Sequence, residues 1–291
     1  MRIAFLGLPL AALMLHADGH DVVLAGISRT DAVGLRRAKR LFGPRLFERP
    51  TLDATFVALA REAKPDLLVS WYWTNLIPME LVAVAPLGGF GVHPSLLPRH
   101  RGPDPTTWAI LAGDLETGVS AHRIERDYDT GAVLMQERLV VEERWDAFQL
   151  ARALDRPSLR VMRAVAAAFA RGAPPAEVPQ DPSLATAAPF PDDELLAIRW
   201  ARSTQDILRQ IRALAPAPGA STEIGGAIVT VLRAVAAEPP RVLEEPGESV
   251  LHQGRCLVRT GDGAVEILAA EVDGEPADRR GLASLFGGSD V

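Results

Sequence analysis

Cysteine is nearly absent from this chain: Cys256 is the single one in 291 residues. One thiol excludes an internal disulfide, and nothing else points to an oxidising compartment. Lysine is almost as scarce, at positions 39 and 64 only, so arginine carries nearly all the positive charge, a bias of composition rather than of function. Asparagine occurs once, as Asn75. The 31 basic residues stand against 37 acidic ones, a formal net charge of −6, which argues against a general DNA binder or a membrane-surface protein. No apolar run approaches the ~18 residues of a membrane span. Glycine-rich phosphate loops are missing too: "FLGLPLA" holds one glycine, with neither GxGxxG nor a Walker pattern. A metal site lacks its usual signature. His93, His100 and His122 are available, but there is no HExxH and these three are not closely spaced, so no metal is expected.

What is present is a chain 48% hydrophobic, long enough for a large core and for two domains. Its start, "MRIAFLGLPLAALML", has the look of a leader peptide. With "HDVVLAGIS" behind it, however, it reads as β–turn–α–β, and the expected location is the cytoplasm. Candidate strands at 2–6, 22–26, 67–71 and 89–92 alternate with helical segments, which predicts an α/β fold with a doubly wound, mainly parallel sheet. A helix is expected over 104–113, between Asp104 and Gly113. A strand pair near 117–124 and 132–141 and a helix interrupted by Pro157 and ending near 171 complete a first domain, 1–171. Residues 172–195 are proline-rich and read as an extended linker. The second domain, 196–291, opens on a helix capped by Ser203, with Asp206 three residues on. Short β-rich runs then separated by Gly-rich turns predict a small antiparallel, barrel-like unit.

The chemistry concentrates in "LGGFGVHPSLLPRHRGPDP", residues 87–105. His93 stands at a strand end, where open α/β sheets bind ligands. His122 lies in the later strand "GVSAHRIE", followed by Asp127 and Asp129. A histidine beside a carboxylate is held in one tautomer, ready to donate a proton or stabilise an oxyanion. Spacing alone does not separate that role from a structural one. Ser95 lies in no GxSxG elbow, and its hydroxyl is expected to brace the loop.

The stretches "HPSLLPRHRGPDP", "WAILAGDLETGVSAHRIERDYDTGAVLMQ" and "PDLLVSWYWTNLIP" resemble the folate-dependent formyltransferase family. The region from "ATAAPFPDDELL" to "STEIGG" is similar to the C-terminal domain of its tRNA-type and some of its sugar-type members. The resemblance implies a Rossmann-like catalytic domain, an OB-like C-terminal domain and 10-formyltetrahydrofolate as co-substrate. It assigns catalysis to His93 and Asp129. It further implies that Asn75, Leu76 and Ile77, with Glu125, Arg126, Asp127 and Tyr128, line the folate pocket, and that Ser95, Leu96, Leu97 and Pro98 form the substrate loop. The family's catalytic asparagine falls at Gly91, a departure. Three readings of it are open: formyl transfer with another donor in place of the amide, altered folate chemistry, or folate binding without turnover.

A tRNA acceptor leaves an electrostatic footprint. Residues 196–291 hold ten arginines against thirteen acids, a net of −3 and a poor tRNA platform. The best basic run, "GLRRAKRLFGPR" at 34–45, reads as a solvated amphipathic helix. The expected partner is therefore a small-molecule amine, with tRNA second. The aromatic cluster Trp71, Tyr72 and Trp73 is expected in the core.

Overall fold

Buried, β-branched and aliphatic strands alternate with helices through the first half of the chain. In order these are β1 (Arg2–Gly7), α1 (Pro9–Ala17), β2 (Asp21–Ile27), α2 (Leu35–Phe42), β3 (Leu46–Glu48), α3 (Ala54–Ala63), β4 (Leu67–Trp71), α4 (Met79–Val82), β5 (Gly89–His93), α5 (Pro105–Ala112), β6 (Glu116–Arg123), β7 (Val133–Val140) and α6 (Ala147–Ala170). The structure is a computed structural model describing residues 1–285. Its first compact unit takes in Met1–Pro105, Glu116–Val140 and Arg152–Ala188; the second takes in Thr106–Leu115, Val141–Ala151 and the described residues from 189 onward.

The seven strands of the first unit form one sheet in the order β3-β2-β1-β4-β5-β6-β7, parallel up to β5 and antiparallel at β6 and β7. This is the expected α/β, mainly parallel architecture. Every residue of β4 and β5 is buried, and β1 and β2 are buried after their first residue, as strands covered on both faces require. Strand β3 was not anticipated: three residues at the sheet edge carry no readable alternation. Helix α6 runs through Pro157 as one helix and ends at Ala170, close to the expected end near 171.

Residues 172–188 run mostly extended, with one 3-10 turn at Pro182–Leu184, but they are not a free tether. Val178 exchanges two backbone hydrogen bonds with Val133, and Arg101 donates to Thr186 O and accepts from Ala188 N. Gln180 accepts from the Arg101 guanidinium, at 2.7 and 3.1 Å. Proline removes donors yet leaves its neighbours' amides free to pair.

The second unit holds α7 (Asp193–Leu196), α8 (Thr204–Leu214), β8 (Ala220–Ile224), β9 (Ala227–Ala237), β10 (Ser249–His252), β11 (Arg255–Arg259), β12 (Ala264–Val272), β13 (Glu275–Ala277) and α9 (Arg279–Ser284). Its strands pair antiparallel in the order β10-β11-β12-β9-β8, with β13 beside β12. Register shifts at Ile267–Ala270 bend β12 against β9, the device that curls a sheet toward a barrel. Ile207, Ile211 and Leu214 of α8 pack on Val229, Val231, Val258, Val265 and Ile267.

Candidate active site

Strand β5 reads GFGVH, and both of its glycines sit where a side chain would be crowded. A Cβ at Gly89 would press on Leu68, 3.2 Å from its Cβ and 3.3 Å from its carbonyl oxygen. Gly91 lies opposite His122 in the β5–β6 register, and a Cβ there would stand 3.2 Å from His122 Nε2. The imidazole of His122 thus occupies the space beside the glycine. His93 closes the strand, 6% exposed, and the chain turns into the loop of Ser95, Leu96, Leu97 and Pro98.

That loop is tied down by hydroxyls. Ser95 donates to Arg99 O at 2.6 Å, so its hydroxyl braces the loop. Ser120 on β6 donates to Ser95 O at 2.7 Å and accepts from Leu97 N at 3.0 Å. Gln136 on β7 donates to both Leu97 O and Ser120 Oγ.

Asp129 stands between two buried histidines. Its Oδ2 lies 3.5 Å from His93 Nδ1, and its Oδ1 lies 3.4 Å from His122 Nε2. Each ring is anchored at its far nitrogen by a backbone carbonyl 2.8 Å away: His100 O for His93 Nε2, and Arg123 O for His122 Nδ1. Asp129 itself sits at φ 55°, an uncommon conformation for a residue with a side chain. Gln180 secures it, donating at 2.7 Å to the carbonyls of both Asp129 and Gly131. Gly131 is required here because a Cβ would strike the Arg123 carbonyl.

The electrostatics follow from this packing. Burial alone would raise the Asp129 pKa, but the charge of His93, the hydrogen bond and charge of His122 and the N–H of Gly102 outweigh it. The Gly102 N–H donates to Oδ2 at 2.9 Å. Asp129 is therefore held well below the usual carboxylate range and is ionised at neutral pH. Burial lowers the pKa of His93, against the pull of Asp129 and the His100 carbonyl. Its ring is neutral at pH 7, with Nε2–H on His100 O and Nδ1 as the basic atom facing Asp129.

The remaining expected residues lie on loops. Thr74, Asn75 and Leu76 are exposed after β4, while Ile77 is buried at 7% and packs in the core with Leu81 and Val82. Glu125, Arg126, Asp127 and Tyr128 are exposed on the loop that leads from β6 to Asp129. Trp71 is buried and donates from its indole to Ser158; Tyr72 donates from its hydroxyl to Asp155 at 3.2 Å. Trp73 packs at the edge of the same core as Ile77, its buried indole N–H without a hydrogen-bond partner. Three site residues escaped the sequence-based assignment: His122 as a contact of Asp129, the Gly102 N–H, and Gln180. Pairing the two strands opposite Gly91 would have pointed to His122. Nothing local marks the other two. Among the described residues no group of three or more His, Cys, Asp or Glu is placed to hold a metal ion.

An imidazole–carboxylate pair at the end of a strand in an open α/β sheet, beneath a rigid loop, is an arrangement suited to moving protons, and no nucleophilic side chain is placed beside it in the manner of a GxSxG elbow. The comparisons give that arrangement its particular form. Residues 21–165 match the family described as formyl transferase, and residues 192–279 match the formyl transferase C-terminal domain. The chain belongs to the folate-dependent formyltransferase family. It is 30% identical to a methionyl-tRNA formyltransferase of Pelotomaculum thermopropionicum, over 99% of this chain and 96% of that one. It is 33% identical to one of Anaeromyxobacter dehalogenans, over 95% and 94%. Among solved structures the fold is similar to HypX of Aquifex aeolicus in complex with tetrahydrofolic acid (TM-score 0.69, 23% identity), covering all of this chain and 48% of that one, so this chain spans about half of HypX. It is also similar to WlaRD, a sugar 3N-formyl transferase (TM-score 0.68, 15% identity), over 94% and 97%.

Proposed function

We propose that this formyltransferase carries a formyl group from 10-formyltetrahydrofolate to the amine of a small-molecule acceptor. The observation that carries the reading is the buried pair of a neutral His93 and an ionised Asp129 behind the braced loop. The amine nitrogen attacks the formyl carbon, the bond from that carbon to N10 breaks, and one proton moves from the amine to N10. Nδ1 of His93 is the atom that holds the proton in transit, and Asp129 stabilises the imidazolium so formed. The Gly102 N–H and Gln180 fix Asp129 in place. Asn75, Leu76, Ile77 and the loop Glu125–Tyr128 are assigned to the folate.

The electrostatics support a small acceptor. In the second unit several arginines are already spent on acids: Arg199 on Glu194, Arg202 and Arg209 on Asp206, and Arg255 on Glu266. Such a surface gives phosphates little to hold. A second reading, transfer to methionyl-tRNA, is favoured by relatives of that name aligned over nearly the whole chain. The test follows tetrahydrofolate release from 10-formyltetrahydrofolate with a nucleotide-linked amino sugar, hydroxyornithine, methionyl-tRNA or water alone. Turnover with a small amine and none with methionyl-tRNA supports the first reading. The reverse supports the second, and hydrolysis alone defeats both.

A further inference from the structure

Formyl transfer passes through a tetrahedral carbon whose oxygen carries developing negative charge, and a site of this kind gains most from donors aimed at that oxygen. The strand that delivers His93 offers no side chain for the task at position 91. The Nε2–H of His93 is committed to His100 O at 2.8 Å, leaving the ring its proton-carrying Nδ1. Beside the bare backbone of Gly91 stands another ring: His122 is buried, 6% exposed, with Nε2 3.2 Å and Cε1 3.5 Å from where a Cβ at position 91 would be. Its Nδ1 is anchored on Arg123 O at 2.8 Å, which fixes the ring plane. Its Nε2 has a looser contact, 3.4 Å to Asp129 Oδ1, longer than a well-formed hydrogen bond and open to a better acceptor.

We propose that His122 is a further catalytic residue, filling the space left by the glycine at position 91 and supplying from Nε2 the donor for the formyl oxygen that His93 does not provide. Nδ1 is taken up by Arg123 O at 2.8 Å, so Nε2 is the ring atom left for the formyl oxygen, with Asp129 Oδ1 3.4 Å away on the same side of the ring. Gly91 and His122 are then a matched pair: the glycine makes room for the ring, and the ring does the work of a side chain at 91. An asparagine placed at 91 without other change would crowd His122 Nε2, so Gly91→Asn alone gains nothing. It helps once the ring is gone.

This inference rests on the formyl-transfer reading. The test uses the full chain with 10-formyltetrahydrofolate and whichever amine in the panel above the wild-type protein formylates fastest. His122→Ala lowers kcat by roughly 10²-fold, the usual cost of losing one oxyanion donor, while KM for the folate stays within about threefold. His122→Gln, which keeps a neutral donor, retains more kcat than His122→Ala. The pair Gly91→Asn with His122→Ala recovers at least tenfold over His122→Ala alone. Unchanged tetrahydrofolate binding in each variant shows that the site has kept its fold. The donor role is overturned if His122→Gln and His122→Ala both turn over within threefold of wild type, or if the double variant is no faster than His122→Ala. A wild-type chain that binds tetrahydrofolate but forms no formylated product with any amine defeats the formyl-transfer reading itself. A wild type that turns over beside an equally fast His122→Ala defeats only the role given to His122.

Discussion

The β5–β6 pair of the first unit and the β9–β12 pair of the second are both antiparallel ladders with buried faces, yet they bury different chemistry. Between β9 and β12 the interior is Val229, Val231, Val265 and Ile267, and the one buried charge on β12, Glu266, is met by the Arg255 guanidinium at 2.7 and 2.8 Å. On β5 and β6 the buried set includes His93, Thr117, Ser120 and His122. Its central contacts, at 3.4 and 3.5 Å to Asp129, are longer than good hydrogen bonds. Tight pairing marks polar groups kept for structure. Loose contacts converging on one carboxylate are compatible with a reaction site, since catalytic hydrogen bonds are often long until substrate arrives. Substitutions in the two regions should therefore divide cleanly, the first moving rates and the second moving stability.

The largest effect is expected at His93. His93→Ala should lower kcat for formyl transfer by about 10²–10³, the scale of a lost general acid–base group. His100→Ala should cost far less, because His100 serves His93 through its backbone carbonyl and not its ring. Steady-state kinetics on both variants checks this, and equal losses would show that the wrong histidine has been assigned. Asp129→Asn comes next, at roughly 10² in kcat, and it also has a signature in stability. The folded-state pKa of Asp129 is lowered, so its contribution is complete above the ordinary value of 3.8 and is lost as pH falls through the folded value. The lowered pKa of His93 acts with the same sign in a higher window: its contribution is complete above 6.5 and declines as the solution is acidified below it. Urea unfolding across pH should show wild type losing stability in both windows, and Asp129→Asn losing less below pH 3.8, where Asp18 and other carboxylates with lowered pKa still titrate.

The division between the regions also explains how much was legible in the sequence. Strands β1, β2, β4 and β5 were readable because each is a continuous apolar run, and the Ser203 cap because its signal spans four residues. Strand β3 was not, since Leu46–Glu48 is too short to show a period. In the site, His93 and Asp129 were found through the resemblance of their flanking motifs. His122 was visible as a residue but not as a contact, because its meeting with Gly91 depends on strand register across a non-local pair. Gly102 acts through a main-chain N–H that any residue possesses, and Gln180 arrives from a segment whose prolines announce extended backbone without saying what it lies against. Composition reports conformation there and is silent on contact.

The second region yields the opposite kind of variant. Arg255→Ala leaves Glu266, 6% exposed at its side chain, without its guanidinium partner. Because Arg255 is itself 41% exposed, the loss is smaller than for a fully buried pair, about 1–3 kcal/mol. Denaturant unfolding measures it, and kcat for formyl transfer should stay within twofold of wild type. A fall in kcat without a fall in stability would break the comparison, giving the second unit a part in the reaction that its tight pairing does not suggest.

The smallest effect is expected at the start of α8. Ser203 caps the helix, its hydroxyl accepting from Asp206 N at 3.2 Å, a longish bond. The reciprocal half of a capping box does not form: the Asp206 carboxylate faces Arg202 and Arg209 at 3.8 and 3.7 Å instead of turning back to the cap. Ser203→Ala therefore removes one cap bond and leaves the acidic charge near the helix N-terminus, where it still favours the helix dipole. The cost should be about 1 kcal/mol or less in thermal or urea unfolding, with no change in kcat. Asp206→Ala should cost a similar amount through the lost charge, and the two together should add, because the side chains do not bond to each other. Strong non-additivity would mean that the box closes in solution and that the cap is tighter than its 3.2 Å bond indicates.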